Sequence, residues 1–222
     1  MIKNYFKEAG FDLNSAEEEK IEVFLDLFLS WNEKINISGI KDREEVIIKH
    51  LVDSILVMKF FDFKKVHRVL DVGTGGGLPG LPLAIMNPRI RFSLLDATAK
   101  KLKVVEDIIH RMKLLNVRVL WGRAEEVARE VEVHESYDLV VARALAELPT
   151  LLRWCLPFVK KKHWLIAYKG PRVDQETGRE EEETLKKYRS KFVSRGEFDL
   201  PKDMGKRVFL LYQKVGPTRR DL

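Results

Sequence analysis

Along the first 64 residues, apolar positions recur at helical spacing. Ile21, Phe24, Leu25, Phe28 and Leu29 form one stripe, with Glu17–Lys20 and Glu22 around it. Asn14 or Ser15 suits the N-cap, and Ser15-x-x-Glu18 reads as a capping box. Trp31–Ser38 leads into a loop holding Gly39. A second helix then runs from about Arg43 to Phe60, with Val46, Ile47, His50, Leu51, Ile55 and Met58 on its inner side. Trp31 and its apolar neighbours read as core, the default for an amphipathic stripe.

From residue 67 the period changes. Short β-branched runs at His67–Val72, Arg91–Asp96, Val117–Trp121, Tyr137–Ala142 and Trp164–Tyr168 predict strands. Between them lie helical patterns at Pro79–Met86, about Lys100–Leu115, Glu125–Val131 and Ala146–Val159. A charged helix over about Gln175–Ser190 follows, then two closing strands at Phe192–Phe198 and Val208–Gln213. Alternating strands and helices predict a doubly wound, Rossmann-like α/β sheet, and the last two strands an antiparallel edge hairpin. The acidic run Glu180–Glu183 reads as a solvated helix face.

Composition narrows the picture. A chain of 222 residues with 45% apolar content closes a core and is not a disordered chain. We divide it into a helical extension, 1–64, and a main domain, 65–222. The single cysteine, Cys155, excludes an internal disulfide framework and a multi-thiolate zinc site. Residues 1–8 lack the apolar stretch of a signal peptide, and Ile55–Phe61 is interrupted by Lys59. A cytosolic protein with no membrane span is expected. The net charge of +6 is uneven: residues 1–64 hold 9 Lys and Arg against 13 Asp and Glu, so the excess lies in the main domain. A basic body points to a polyanionic partner, or simply to a well-solvated surface.

The strongest local signal is Val69–Gly80, where a strand ends, a glycine-rich turn follows and a helix opens. Five glycines in eight residues weaken a chain unless close approach of a ligand uses them. Gly75-x-Gly77-x-x-Gly80 fits the dinucleotide fingerprint, which alone is weak. Asp71, just before the turn, is out of place beside a pyrophosphate but suits a ligand carrying an amine, such as S-adenosylmethionine. Asp96, 23 residues after Gly73, closes the second strand, where it can accept ribose hydroxyls or cap the next helix.

Taken together, several stretches resemble one family. They are Trp31–Ile40, Lys49–Ser54, Gly73–Leu83, Gly122–Glu126 and Ala142–Ala146, in this order and spacing. The chain resembles the RsmG (GidB) family of bacterial 16S ribosomal RNA guanine-N7 methyltransferases, and Leu78-Pro79-Gly80-Leu81-Pro82 is the most specific piece. The resemblance implies a class I S-adenosylmethionine-dependent methyltransferase fold, with 16S ribosomal RNA or a small-subunit particle as substrate. It also implies cofactor contacts at Gly73, Leu78, Ala124, Glu125 and Arg143.

These residues fall at the carboxyl ends of the predicted strands, with Asp71, Gly75 and Asp96 completing the expected cofactor set. Arg143 closes a buried apolar run, so it needs an anionic partner, either the cofactor carboxylate or an RNA phosphate. Lys100, Arg123, Arg143 and Lys169 are the expected RNA contacts. Lys160–Lys162 could extend them, or simply mark a helix end favoured by its dipole. Guanine N7 carries an in-plane lone pair and no proton, so direct attack needs no general base, no metal and no thiol. Cys155 reads as a buried structural residue. His50 and Asp53, three apart on a helix, could pair and dock the extension against the glycine loop, or touch RNA. The competing functions are an NAD(P)-dependent oxidoreductase on the same loop and a non-catalytic RNA- or ribosome-binding module.

Overall fold

The computed structural model describes residues 2–218. Helix α1 (Ile2–Glu8) precedes α2 (Ser15–Ile35). A helical run follows, built of α3 (Arg43–Val46), a π-helical stretch Ile47–Val52, α4 (Asp53–Ile55) and α5 (Val57–Phe60). The α/β part then reads β1 (Arg68–Val72), α6 (Gly80–Met86), β2 (Arg91–Asp96), α7 (Ala99–Met112), β3 (Val117–Trp121) and α8 (Ala124–Val127). It continues with β4 (Tyr137–Arg143), α9 (Leu148–Cys155), β5 (Val159–Lys169), α10 (Arg179–Lys187), β6 (Ser190–Asp199) and β7 (Lys206–Lys214). The strands form one sheet in the order β3-β2-β1-β4-β5-β7-β6. The first five strands are parallel, and β7 pairs antiparallel with both β5 and β6.

Side-chain alternation along the strands builds two cores. Val69, Leu94, Val141, Ile166 and Phe209 face one way and join a cluster with Phe6, Phe24, Phe28, Ile47, Leu51 and Ile55. Leu70, Leu95, Val140, Leu165 and Leu210 face the other way, against Leu151, Leu152 and Cys155. Residues 2–60 thus supply much of the layer over one sheet face, with α6 and α7 beside them. Helix α1 escaped the sequence reading, although Ile2 and Phe6 repeat at helical spacing and are buried.

Several expectations need correction. The capping box is Asn14 with Glu17, one residue earlier than Ser15 with Glu18, because Asn14 takes the extended cap conformation. The helix expected over 146–159 ends at Cys155. Pro157 has no N–H to continue it, and β5 begins at Val159 instead of Trp164. Lys160–Lys162 therefore lie on a strand at the amino end of the sheet, far from the glycine loop. The charged helix expected over 175–190 splits into a 3-10 turn at Pro171–Gln175 and α10. Within its acidic run Glu181 is buried, accepting a bond from Tyr212 Oη at 2.7 Å, so only its neighbours are solvated.

Candidate functional site

Strand β1 delivers the glycine turn. Gly75 has φ +56, a left-handed conformation, and a side chain there would meet open space. Its N–H donates to Asp96 Oδ2 at 2.8 Å, and Thr98 N donates to Asp96 Oδ1 at 2.8 Å. Asp96 thus ties the turn to the start of α7 while remaining half-exposed. Gly80 opens α6 at a point with no room for a side chain: a Cβ would lie 2.2 Å from Leu94 and 2.8 Å from Asp71 Oδ2.

A cleft at the carboxyl ends of β1, β2 and β3 is lined by Gly73, Asp96, Ala97, Arg123, Ala124 and Glu125, with Leu145 and Trp154 from the α9 side. It brings together five residues singled out from the sequence: Gly73, Asp96, Arg123, Ala124 and Glu125. The others lie elsewhere. Leu78 is buried in the apolar cluster below the turn. Lys100 is exposed in the first turn of α7.

Asp71 does not face the cleft. It is fully buried under the turn, where its Oδ2 accepts bonds from Thr74 Oγ1 at 2.6 Å and Gly80 N at 2.9 Å. It shares the side of β1 that carries Val69, and so points into the layer below the turn. Its other oxygen, Oδ1, has no hydrogen-bond partner. Burial pushes its carboxyl up to about 6, against the opposing bonds from Thr74 and Gly80.

Arg143 has the anionic partner its position demanded, and that partner is Asp53. Arg143 Nη1 lies 2.7 Å from Asp53 Oδ2 and 3.4 Å from the carbonyls of Lys49 and His50. Arg207 of β7 grips the same carboxylate, Nε to Oδ1 at 2.5 Å and Nη2 to Oδ2 at 2.8 Å. Asp53 is almost wholly buried between the two guanidiniums. Arg207 carried no signal in the sequence reading. Lys169 is likewise engaged: its Nζ donates to Glu176 Oε2 at 2.5 Å and to Ala146 O at 2.8 Å. It is a buried, neutralised cation, and not a free one on the rim.

His50 and Asp53 do not pair with each other. His50 Nδ1 lies 3.1 Å from Lys49 O and its Nε2 lies 2.7 Å from Ser38 Oγ. A carbonyl only accepts, so Nδ1 donates, and in the neutral ring Nε2 accepts from Ser38 Oγ. Burial and the nearby Arg143 lower this imidazole to about 4. Ser38 in turn is fixed by Asn32, whose Oδ1 accepts from Ser38 N at 2.7 Å. The loop so held carries Ile37, which with Phe28 packs on Gly76. The extension therefore clamps the glycine turn through Phe28 and Ile37.

This clamp has a pH dependence of defined sign. A folded-state value below the unfolded one contributes stability above about pH 6.5, and that stability is lost as pH falls towards 4. Acidification across this window is expected to loosen residues 36–40, read as faster proteolysis there. The His50→Gln variant should lack this step. An equal pH response in both proteins would refute the role.

Trp121 closes β3 with 71% of its surface exposed. Its indole Nε1 donates to Ala97 O at 3.2 Å, which fixes the ring beside the cleft. Arg123 and Lys100 are exposed nearby and form no ion pair among the described residues. The sequence puts Trp121 at the carboxyl end of a predicted strand, beside the expected site, but assigns it no contact of its own.

The family model described as rRNA small subunit methyltransferase G matches residues 17–198. A ribosomal RNA small subunit methyltransferase G from Lachnoclostridium phytofermentans is 37% identical over 96% of this chain and 87% of its own length. The one from Clostridium beijerinckii is 41% identical over 77% of this chain and 71% of its own. Among solved structures, a putative O-methyltransferase from Klebsiella pneumoniae superposes with a TM-score of 0.59 at 17% identity, covering 97% of this chain and 96% of that one. TrmN from Thermus thermophilus superposes at 0.56 and 17% identity, over 74% and 48%. These two establish the class I methyltransferase fold, and the relatives establish more: the chain belongs to the rRNA small subunit methyltransferase G family.

Proposed function

We propose that the chain transfers a methyl group from S-adenosylmethionine to N7 of an unstacked guanine in 16S ribosomal RNA, by direct in-line attack. Its family makes it an S-adenosylmethionine-dependent methyltransferase of ribosomal RNA, which sets aside the oxidoreductase and the non-catalytic module. The observation that carries the finer reading is the cleft lining. Among the described residues there, the charged side chains are Asp96, Arg123 and Glu125, with no histidine, lysine, tyrosine or thiol. Asp96 already accepts two backbone N–H groups. Cys155 is buried, and burial raises its thiol far above the usual range. A cleft so furnished suits an acceptor that needs no proton removed. Rate then comes from alignment of N7, methyl carbon and sulfur.

The residues fit the cofactor. Asp96 keeps lone pairs for ribose hydroxyls, Ala124 and Glu125 would lie along the adenine, and Gly75 leaves space for close approach, while Gly73 lines the cleft against Leu145. Arg143 has N–H groups beyond Nη1 without a protein partner among the described residues, and these suit a carboxylate. Asp71 and Leu78 serve from beneath, holding the turn in shape. The cofactor supplies an electrophilic methyl on a sulfonium.

Lys100, Arg123 and Trp121 form the rim that would meet RNA. Base stacking on an exposed aromatic contributes about 1–3 kcal/mol per base. Trp121→Ala is expected to weaken RNA binding at least fivefold, with cofactor affinity and melting temperature unchanged, and Trp121→Phe to restore most of it. Unaltered RNA affinity in the alanine variant would remove Trp121 from the rim. The overall reading is tested by tritiated methyl transfer to ribosomal RNA lacking the modification, followed by chemical cleavage at 7-methylguanine. Label without N7-specific cleavage would overturn the choice of acceptor atom.

A further inference from the structure

The opposite end of the sheet holds a second basic site. Register places Arg68 of β1 beside Arg91 of β2, and Ser93 of β2 beside Arg118 of β3. By strand alternation all four lie on the sheet face that carries Leu70 and Leu95. Three arginines on three adjacent strands thus line one cleft, with Phe92 and Asn116. None of the three has a carboxylate partner among the described residues. Neutral groups hold two of them instead. Arg118 donates to Ser93 Oγ at 2.9 Å and to Tyr137 Oη at 3.4 Å, and the Arg68 guanidinium lies 5.0 Å from the Tyr137 ring centroid. The nearest buried carboxylate, Asp138, is taken up by Lys160 at 2.7 Å and by the backbone N–H groups of His67 and Arg68.

Like charges side by side on neighbouring strands repel. Three such charges without a counter-charge among the described residues, two of them fixed by neutral partners, describe a site built for an anion. We propose that this cleft binds the phosphodiester backbone of the RNA substrate, at a point remote from methyl transfer. Guanidinium forks match phosphate oxygens in pairs. The cleft opens past Leu115, whose side chain is wholly exposed, so it admits an extended chain instead of enclosing a small anion. Arg89, Lys161 and Lys162 stand exposed at the same end of the sheet and extend the positive field. Arg118 lies three residues before Trp121 on β3, about 10 Å along the strand. One RNA strand lying along the edge of β3 would touch both.

The identity of the anion as RNA rests on the proposed function, and the test keeps the two apart. Arg91→Gln, Arg118→Gln and the double variant are compared with the wild type for binding a ribosomal RNA fragment across a salt series, and for methyl-transfer KM and kcat. We expect the slope of log affinity against log salt to shrink by roughly 0.7 for each phosphate no longer neutralised. KM for RNA should rise severalfold while kcat and cofactor affinity hold. Arg91→Lys, which keeps the charge, should retain most of the slope. Wild-type slope and KM in the double variant would overturn the site even if methyl transfer proceeds normally. If the wild type binds RNA with the expected slope but transfers no methyl group, the proposed function fails and the cleft stands. Inorganic phosphate is the remaining probe. Saturation of the arginines by millimolar phosphate with no competition against RNA would reassign the cleft to a small anion and overturn the proposal.

Discussion

Asp53→Asn is expected to destabilise the protein by about 3–5 kcal/mol, lowering its melting temperature by roughly 10 °C. The reason is the geometry around one carboxylate. Asp53 is buried, and both Arg143 and Arg207 point their guanidiniums at it. Removing its charge leaves two cations facing each other at low exposure with no anion between them. The asparagine side chain keeps one accepting oxygen, and its amide group would turn N–H donors towards a guanidinium that also only donates. Thermal melts check this. A double cycle with Arg207→Ala should show coupling above about 1 kcal/mol, because that change relieves the repulsion. A variant melting within 2 °C of the wild type, about the shift expected from well under 1 kcal/mol, would mean that solvent or backbone already compensates the pair. The same variant frees Arg143 from its tether, so its cofactor affinity is expected to change along with its stability.

Asp71→Asn is expected to move stability the other way. Burial raises this carboxyl to about 6 from the unfolded value of 3.8. A group whose folded value is raised contributes stability below the unfolded value, and that contribution disappears as pH climbs through the folded value. At pH 8 the folded protein therefore holds a buried carboxylate at a cost of about 3 kcal/mol relative to the neutral form. Asparagine keeps an acceptor for Thr74 and Gly80 without the charge. The variant should be more stable than the wild type at pH 8 and equal to it near pH 4, as chemical denaturation at the two pH values will show. Equal stability at pH 8 would mean that the carboxylate finds a partner beyond those in the fold. Its opposite is His50, whose contribution weakens on acidification over nearly the same window. The two nearly offset each other in total stability, so the local proteolysis readout is the one that separates them.

Much of the fold was legible because strand signals are local. The apolar run at Arg91–Asp96 and the β-branched run at Val117–Trp121 match the observed strands end to end. The carboxyl-end cleft was legible too, since a strand followed by glycines fixes where a ligand can approach. Charge partnerships were not. Arg143 and Lys169 looked available to a ligand anion because the carboxylates that hold them lie on other elements, 90 residues away for Asp53 and across a loop for Glu176. Asp71 looked like a ligand contact because its place at a strand end is visible in sequence, while the side of the strand it takes is decided by packing. The sequence places only part of the basic excess at the site rim. Three further arginines without a carboxylate partner among the described residues crowd the other end of β1, β2 and β3, a placement that only parallel register reveals.

The helical layer has a consequence for how the chain folds. Its first 60 residues expose Phe6, Phe24 and Phe28 to a sheet that does not yet exist when they are made, and the last strand of that sheet carries Phe209. Asp53 and Arg207 are 154 residues apart in the chain, and Glu8 reaches the backbone of Lys202 across 194. The opening segment is therefore synthesised first and satisfied last. This face closes only after β7 has been made, with high contact order and an apolar surface to be shielded until that hairpin arrives.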